Sequence, residues 1–420
     1  MAFGTLSTSD LLRIETRDPV AELLTRQPAG SALLREFYAD PAIFARDLTA
    51  IHMKHWLCVG HASRIPNPGD WFVFDVAEES LILVRGRDGQ VRALVNVCRH
   101  RGSHVCYETQ GCGARAFVCP YHGWTYDLDG RLRSARHMGE GFDPSLYALR
   151  QVHVRTLEGL LFVCFADEPP RLDDVEQTLR VSLGRYGWAD AAIAHRKVYR
   201  ADANWKLVTE NYQECYHCRP AHPEFARFHA TDRPDPEASA IRAEAERRWH
   251  DMGLEIPTVA RWPSGANPEQ EGIACYHDST CAGAVTGSED GQPVAPLMGD
   301  LRGYDGGFTY VEVGPSSFFL AYADYGVMYL FLPRDVQHTD MEVIWLVRGG
   351  AREGVDYDLA RLIWMWDVTS VADKRIIDHN QKGVNSRYYR PGPYGPMEAT
   401  TRRLTEWYLQ QIRLESGLAR

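Results

Sequence analysis

The chain has 420 residues, and at about 150 residues per domain that length suggests two or three domains. Hydrophobic residues make up 45% and charged residues 24%, which excludes a largely disordered chain. A net charge of −10 disfavours nonspecific binding to nucleic acid. The N-terminal run MAFGTLSTSDLLRIETRD lacks a charged segment followed by an apolar core, so no signal peptide is expected. The most apolar stretch, Phe318 to Leu332, is interrupted by Asp324 and Gly326; it is shorter and more polar than the roughly 20 residues of a membrane span. These features predict a soluble cytoplasmic protein with neither membrane nor nucleic-acid partners. Its ten cysteines would then sit in a reducing compartment, where ligation or burial is expected in preference to disulfides.

Residues 1–44 read as a polar, helical segment packing on the carboxy-terminal domain. From Trp56 to about Phe165 the chain breaks into short strands: WLCVG, DWFVFDV, SLILVRG, VRALVNVC, AFVCPYHGWTYDLDG and GLLFVCFA. Turn clusters such as PNPGD, GRDGQ and DLDG separate them, so residues 45–168 are expected to form a small all-β domain. Beyond Pro169-Pro170 the pattern changes. Helices are expected around Asp174 to Tyr186, Asn204 to Arg219 and Ala238 to Met252, followed by a Gly/Pro/Asp-rich region from Pro257 to Gly307. Strands resume with FTYVEVG, SFFLAYAD, VMYLFLP and MEVIWLVRG, and two helices close the chain, Tyr357 to Lys382 and Glu398 to Ser416. Residues 169–420 thus read as a helix-covered antiparallel sheet, making the whole chain α+β.

Two loops carry the strongest chemical signal, Cys98-Arg-His100-Arg-Gly102 and Cys119-Pro-Tyr-His122-Gly-Trp124. Each follows a strand and offers one thiolate and one imidazole. Two cysteines on one iron and two histidines on the other can hold a [2Fe–2S] centre of raised potential. A structural zinc site uses the same ligand types. Gly102 and Gly123 would let backbone N–H groups approach the cluster closely.

A second constellation lies in NWKLVTENYQECYHCRPAHP, residues 204–223. Glu214 and His217 are three apart and would share a helical face. Pro220 would break the helix and swing His222 back toward His217. Non-haem Fe(II) would want a third, carboxylate ligand. On the helix from Tyr357 to Lys382 the stripe Leu359, Ile363, Trp366, Ser370, Asp373 and Ile377 follows helical spacing. That puts Asp373 on the apolar face, where an unpaired charge is costly and a bound cation would relieve it. Asp367 is the second candidate, and Asp378, beside Lys374, Arg375 and Lys382, reads as a solvated surface residue. Zinc on Cys215, His217, Cys218 and His222, or on Cys275, His277 and Cys281, is an alternative by spacing alone.

CRHRG and CPYHGW resemble the two ligand loops of the Rieske family nearly letter for letter, on the oxygenase and ferredoxin branch: Tyr121 stands where respiratory-type proteins carry a disulfide-forming cysteine. Cys106 and Cys112 then read as ordinary thiols. The 18 residues between His100 and Cys119 predict an enlarged loop around Gly111 to Ala114. NWKLVTENYQECYHCRPAHP resembles the catalytic-iron motif of Rieske non-haem iron oxygenases, and VTSVADKRIIDHNQKGVNS their carboxylate segment, over a span from about Phe37 to Tyr408.

The resemblance implies a Rieske cluster on Cys98, His100, Cys119 and His122, and a mononuclear Fe(II) on His217, His222 and Asp373. It further implies a head-to-tail homotrimer in which the cluster of one subunit serves the iron of its neighbour. Glu214 would be the carboxylate that links a cluster histidine to His217. No GxGxxG stands at a strand-to-helix turn, so a separate NAD(P)H-dependent reductase carrying flavin or iron–sulfur is expected to supply electrons.

Glu214 itself, the ADKRII run and SRYYRPGPYGPMEATT look more like the branch acting on quaternary ammonium compounds, such as glycine-betaine and proline-betaine demethylases and choline monooxygenase. The implied reaction uses O2 to hydroxylate an N-methyl carbon, with loss of formaldehyde. The alternative is ring hydroxylation of an aromatic acid. Phe318, Phe319, Tyr322, Tyr325 and Tyr329 could line a pocket for a cation, although such a stripe is more often plain core.

Overall fold

The computed structural model describes residues 19–230, 236–254, 258–261 and 269–418. Of the helical segment expected over residues 1–44, the first 18 lie outside the described residues. The remainder forms α1 (Pro19–Arg26), α2 (Arg35–Ala39) and α3 (Pro41–Asp47). Asp40 caps α3 by accepting from the Ala42 N–H at 2.8 Å.

Ten strands follow: β1 (Leu57–His61), β2 (Trp71–Val76), β3 (Glu79–Arg85), β4 (Val91–Val95), β5 (Gln110–Gly111), β6 (Phe117–Val118), β7 (Thr125–Tyr126), β8 (Leu132–Ser134), β9 (Gln151–Leu157) and β10 (Leu160–Cys164). Seven make one antiparallel sheet in the order β1-β10-β9-β4-β3-β2-β5, and β6-β7-β8 make a small second sheet. In the stretch where an enlarged loop is expected, β5 docks on the β2 edge, Trp71 opposite Gly111.

The carboxy-terminal half contains α4 (Asp173–Ser182), β11 (Ala192–Ala201), α5 (Trp205–Asn211), α6 (Cys218–Ala221), α7 (Pro223–Phe228), α8 (Glu237–Asp251), β12 (Val259–Arg261), β13 (Ile273–Ser279), β14 (Gly307–Val313), β15 (Ser317–Ala321), β16 (Gly326–Asp335), β17 (His338–Val347), α9 (Leu359–Val384) and α10 (Ala399–Glu415). Its sheet is antiparallel throughout, in the order β11-β17-β16-β15-β14-β13-β12. Three strands go beyond the sequence reading. β11 carries His195, Arg196 and Lys197 and lies at the sheet edge, half covered, so it lacks an apolar period. β12 and β13 lie inside the stretch expected to be irregular.

Strand alternation divides this sheet into two faces. Val311, Val313, Phe319, Ala321 and Met328 share one core with Leu57, Phe72, Leu161 and Phe162 of the amino-terminal lobe. Tyr310, Phe318, Leu320, Tyr329 and Phe331 share the other with Trp205, Trp366 and Ile377 of the helices. The amino-terminal lobe is therefore seated on one face of the catalytic sheet, and the helix layer and both histidine-bearing turns lie on the opposite face. A third cluster, with Cys98, Cys119, Trp124 and Tyr126, belongs to the far end of the amino-terminal lobe. No helix among the described residues is long and apolar enough to cross a membrane.

Candidate metal centres and cavity

The first ligand loop follows β4 and the second follows β6. Each closes on a glycine with positive φ, Gly102 at 78° and Gly123 at 73°, a conformation glycine adopts at little cost. Their N–H groups donate to the Cys98 and Cys119 carbonyls, both at 3.0 Å. These tight turns hold the two free thiols in the interior, Cys98 3% and Cys119 1% exposed, and the two imidazoles outside. His100 Nδ1 and His122 Nδ1 stand 3.1 Å apart. Trp124 stacks on His100 at 4.8 Å between centroids, and Tyr126 Oη lies 3.3 Å from Cys98 Sγ. Two converging imidazoles above two buried thiols fit a two-iron, two-sulfide centre in donor type and number. Cys106 and Cys112 are free, as expected of ordinary thiols.

The second constellation is built differently from the sequence expectation. α5 stops at Asn211 instead of running to Arg219, and the chain turns through Tyr212 to His217. Within that turn the Glu214 carboxylate accepts the N–H groups of Tyr216 and His217, the latter at 3.3 Å. Pro220 then falls in the first turns of α6, where its missing N–H is not needed. Glu214 Oε1 also meets His217 Nδ1 at 2.7 Å, a pairing made by a turn and not by a shared helical face.

His222 sits between α6 and α7 with φ −143° and ψ 77°. That kink returns its ring to 5.2 Å from the His217 ring, nearly perpendicular to it. Asp373, buried on α9, faces both: Oδ1 lies 3.3 Å from His217 Nε2 and 3.2 Å from His222 Nε2. His222 is buried; its Nε2 faces only Asp373, and its Nδ1 has no hydrogen-bond partner. Burial alone would depress His217, but Asp373 and Glu214 outweigh it and hold the imidazole up at about 9. Burial would raise Asp373, yet His217 and His222 hold it well below the usual carboxylate range. Two imidazoles and a buried carboxylate converging on one point fit a cation, and the donor set suits non-haem iron.

Other candidates resolve against ligation. Asp367 is engaged by Lys197 at 2.5 Å and by the Tyr199 hydroxyl. Asp378 pairs with Lys374 and accepts the Asp202 N–H at 2.8 Å, so it is tied into the fold more than a solvated residue would be. Cys215 and Cys218 form a disulfide, correcting the expectation that the cysteines avoid one. The turn that follows α5 brings their Cα atoms to 4.9 Å, within bonding range. Zinc on that quartet thereby loses both sulfurs. Cys275 is buried against the amino-terminal lobe, His277 bonds Thr309 at 2.9 Å, and Cys281 Sγ faces the Arg227 carbonyl, so these three do not converge.

A cavity of about 640 Å³ opens beside His217, His222 and Asp373. Of the aromatic stripe singled out in the sequence only Phe318 lines it; Phe319 faces the other lobe, and Tyr322, Tyr325 and Tyr329 are core. The sequence reading missed Asn211, Gln213, Arg242, Tyr276 and Tyr310, which line it too.

Residues 188–414 match the family model of the ring-hydroxylating alpha subunit catalytic domain, and residues 55–156 match that of the Rieske [2Fe–2S] domain. The chain belongs to the ring-hydroxylating alpha-subunit family of Rieske oxygenases. This Rieske oxygenase is 37% identical over 384 residues to the glycine betaine monooxygenase oxygenase subunit of Chromohalobacter salexigens, covering 90% of this chain and 85% of that one. It is 35% identical to the corresponding subunit of Pseudomonas aeruginosa, over 97% of this chain and 95% of that one. Among solved structures it is similar to a quaternary ammonium Rieske monooxygenase in complex with L-carnitine, with TM-score 0.67, 22% identity and coverage of 94% and 98%. A naphthalene 1,2-dioxygenase from Rhodococcus sp. gives TM-score 0.64 at 20% identity, covering 98% and 100%. At those identities the structures bear on the fold alone, which is the α+β architecture expected.

Proposed function

We propose that this Rieske oxygenase is the oxygenase component of a monooxygenase that hydroxylates an N-methyl carbon of a betaine-type quaternary ammonium compound. The observation that carries this reading is the near full-length identity to glycine betaine monooxygenase oxygenase subunits. In this reading residues 45–168 are the electron-storing domain, with Cys98, His100, Cys119 and His122 holding the [2Fe–2S] cluster. Residues 169–420 are the catalytic domain, with His217, His222 and Asp373 holding mononuclear iron. The iron, when bound, supplies the site at which dioxygen is activated.

The protein's own residues bind, orient and exclude water. Tyr276, Tyr310 and Phe318 offer aromatic faces to a trimethylammonium group. Arg242, held by Asp278 at 3.3 Å, brings a guanidinium to the same cavity, suited to a substrate carboxylate. Glu214 fixes His217 by accepting from Nδ1, which leaves Nε2 directed at Asp373. Hydroxylation of the methyl carbon gives a carbinolamine. It releases formaldehyde and the demethylated amine, with NAD(P)H supplying two electrons and the second oxygen atom leaving as water.

Those electrons come from a separate reductase, and they pass between neighbouring subunits of a homotrimer through Glu214. Exposed apolar side chains support that contact: Val97, Val118 and Tyr121 surround the cluster loops, and Tyr216 stands next to Glu214. The test is aerobic turnover of the purified protein with an NAD(P)H-dependent reductase, glycine betaine and a panel of aromatic acids. Formaldehyde with the demethylated amine is expected; a hydroxylated arene without formaldehyde would favour the ring-hydroxylating alternative.

A further inference from the structure

The register of β13, β14 and β15 sets Tyr276 opposite Tyr310 and Phe318 opposite Glu312, all on the helix-facing side of the sheet. The Tyr276 and Tyr310 rings stack at 4.4 Å with 14° between planes, and Phe318 meets Tyr310 edge-on at 4.4 Å. These rings and Gln213 line the cavity. Glu312 lies behind them, 2% exposed. Its Oε1 accepts from Gln213 Nε2 at 2.6 Å and from the Tyr310 hydroxyl. Its Oε2 has no hydrogen-bond partner, and neither does Gln213 Oε1. No basic side chain pairs with Glu312 among the described residues.

A buried carboxylate without a cation is costly, and a neutral side chain of the same shape would pack there more cheaply. Burial accordingly pushes the Glu312 carboxyl up to about 8, despite the bonds from Tyr310 and Gln213. Without a cation the carboxyl therefore keeps its proton at neutral pH, and a cation arriving in the cavity would offset the cost of ionisation, releasing that proton to solvent and leaving the carboxylate charged. A quaternary ammonium has no N–H to donate, so it can be recognised only by aromatic faces and by diffuse negative charge. A tyrosine whose hydroxyl donates to a carboxylate presents a more electron-rich ring, which couples the two. We propose that Glu312 is the counter-charge that makes this cavity select a cation, acting through the Tyr310 hydroxyl and the aromatic wall in front of it. Glu312 is a specificity-determining residue that need not touch the substrate. The proposal rests on the quaternary ammonium reading given above.

The experiment compares two ligands of one shape, glycine betaine and tert-butylacetate, in which an uncharged carbon replaces the nitrogen. Binding to the iron-loaded holoenzyme is measured by calorimetry without oxygen, so no turnover intervenes. In Glu312→Gln the affinity for glycine betaine is expected to fall roughly tenfold, with less than about a twofold change for tert-butylacetate. Equal losses for both ligands, or no loss for either, would overturn the proposal. Tyr310→Phe keeps the ring but removes the bond to Glu312, so it decides the matter if the first variant fails to fold. It should lower betaine affinity selectively, and unchanged selectivity would count against Glu312. If the unmodified enzyme shows no preference for glycine betaine over tert-butylacetate, the substrate reading falls together with this one. If it does and both variants retain that preference, only this one falls.

Discussion

The Asn211 side-chain amide donates to Asp373 Oδ1 at 3.0 Å, the same oxygen that both histidines face. Asn211 is the last residue of α5 and Asp373 lies midway along α9, so one hydrogen bond joins the two helices at the candidate iron. Orienting partners of this kind typically set metal affinity by about 10- to 100-fold. Asn211→Ala should therefore weaken iron binding within that range while the visible spectrum of the cluster persists. Asp373→Ala should abolish the mononuclear iron outright, leaving two of about three irons and both sulfides per chain. Iron and acid-labile sulfide analysis reads both. Retention of full iron in Asp373→Ala would remove that residue from the ligand set.

Glu214 holds His217 on the side away from Asp373. Glu214→Gln keeps a side chain of the same length and an oxygen acceptor for the Tyr216 and His217 N–H groups, so both metal centres should load normally. Turnover should nevertheless fall by more than about tenfold, because a carboxylate supports the imidazole better than an amide and, in the proposed reading, carries the contact between subunits. The deciding measurement is a single turnover that follows oxidation of the pre-reduced cluster with substrate present. An unchanged rate would show that Glu214 serves only to hold the turn at Tyr216 and His217.

Chemistry that is local in sequence was legible before any coordinates. Cys98, His100, Cys119 and His122 are two short motifs on two turns, and the turn geometry follows from Gly102 and Gly123. Asp373 could be found by counting a helical face, since a charge among Trp366, Ser370 and Ile377 demands a partner. Glu312, Tyr310 and Tyr276 could not be found that way. They meet only through strand register, and β13 falls in a stretch rich in glycine and proline that gives no period. The end of α5 is not legible either: Pro220 is the obvious breaker in the sequence, but the helix ends at Asn211, well before it.

Lys206 and Asp47 form an ion pair inside the helix layer, 3% and 0% exposed, and Asp47 also accepts from Trp205 Nε1 at 3.1 Å and the Tyr408 hydroxyl at 2.7 Å. The pair ties α3, α5 and α10 together. Removing one partner of a buried pair leaves an uncompensated charge and costs about 3–5 kcal/mol. Lys206→Met should lose stability on that scale in urea unfolding. Adding Asp47→Asn should recover much of the loss, because the remaining group is then neutral. A double variant no more stable than Lys206→Met would show that Lys206 acts through packing alone.

Asp305 supplies the pH dependence that is easiest to isolate. Its carboxylate pairs with Arg185, accepts the Gly307 N–H at 3.0 Å and lies 3.4 Å from His277 Nε2. Burial would raise its pKa, but His277 and Arg185 outweigh burial and hold it at about 2, below the ordinary carboxylate value. The unfolded chain therefore binds a proton more readily than the folded one, and the stabilisation is fully present above the unfolded pKa of about 4. It is lost as pH falls through the folded value, an effect of about 2 kcal/mol. In urea unfolding at pH 6, Asp305→Asn should be less stable than the parent by at least that amount. The gap should narrow steadily as the pH is lowered from 5 toward 3. A gap that stays constant over that range would mean that Asp305 contributes through its shape and not its charge.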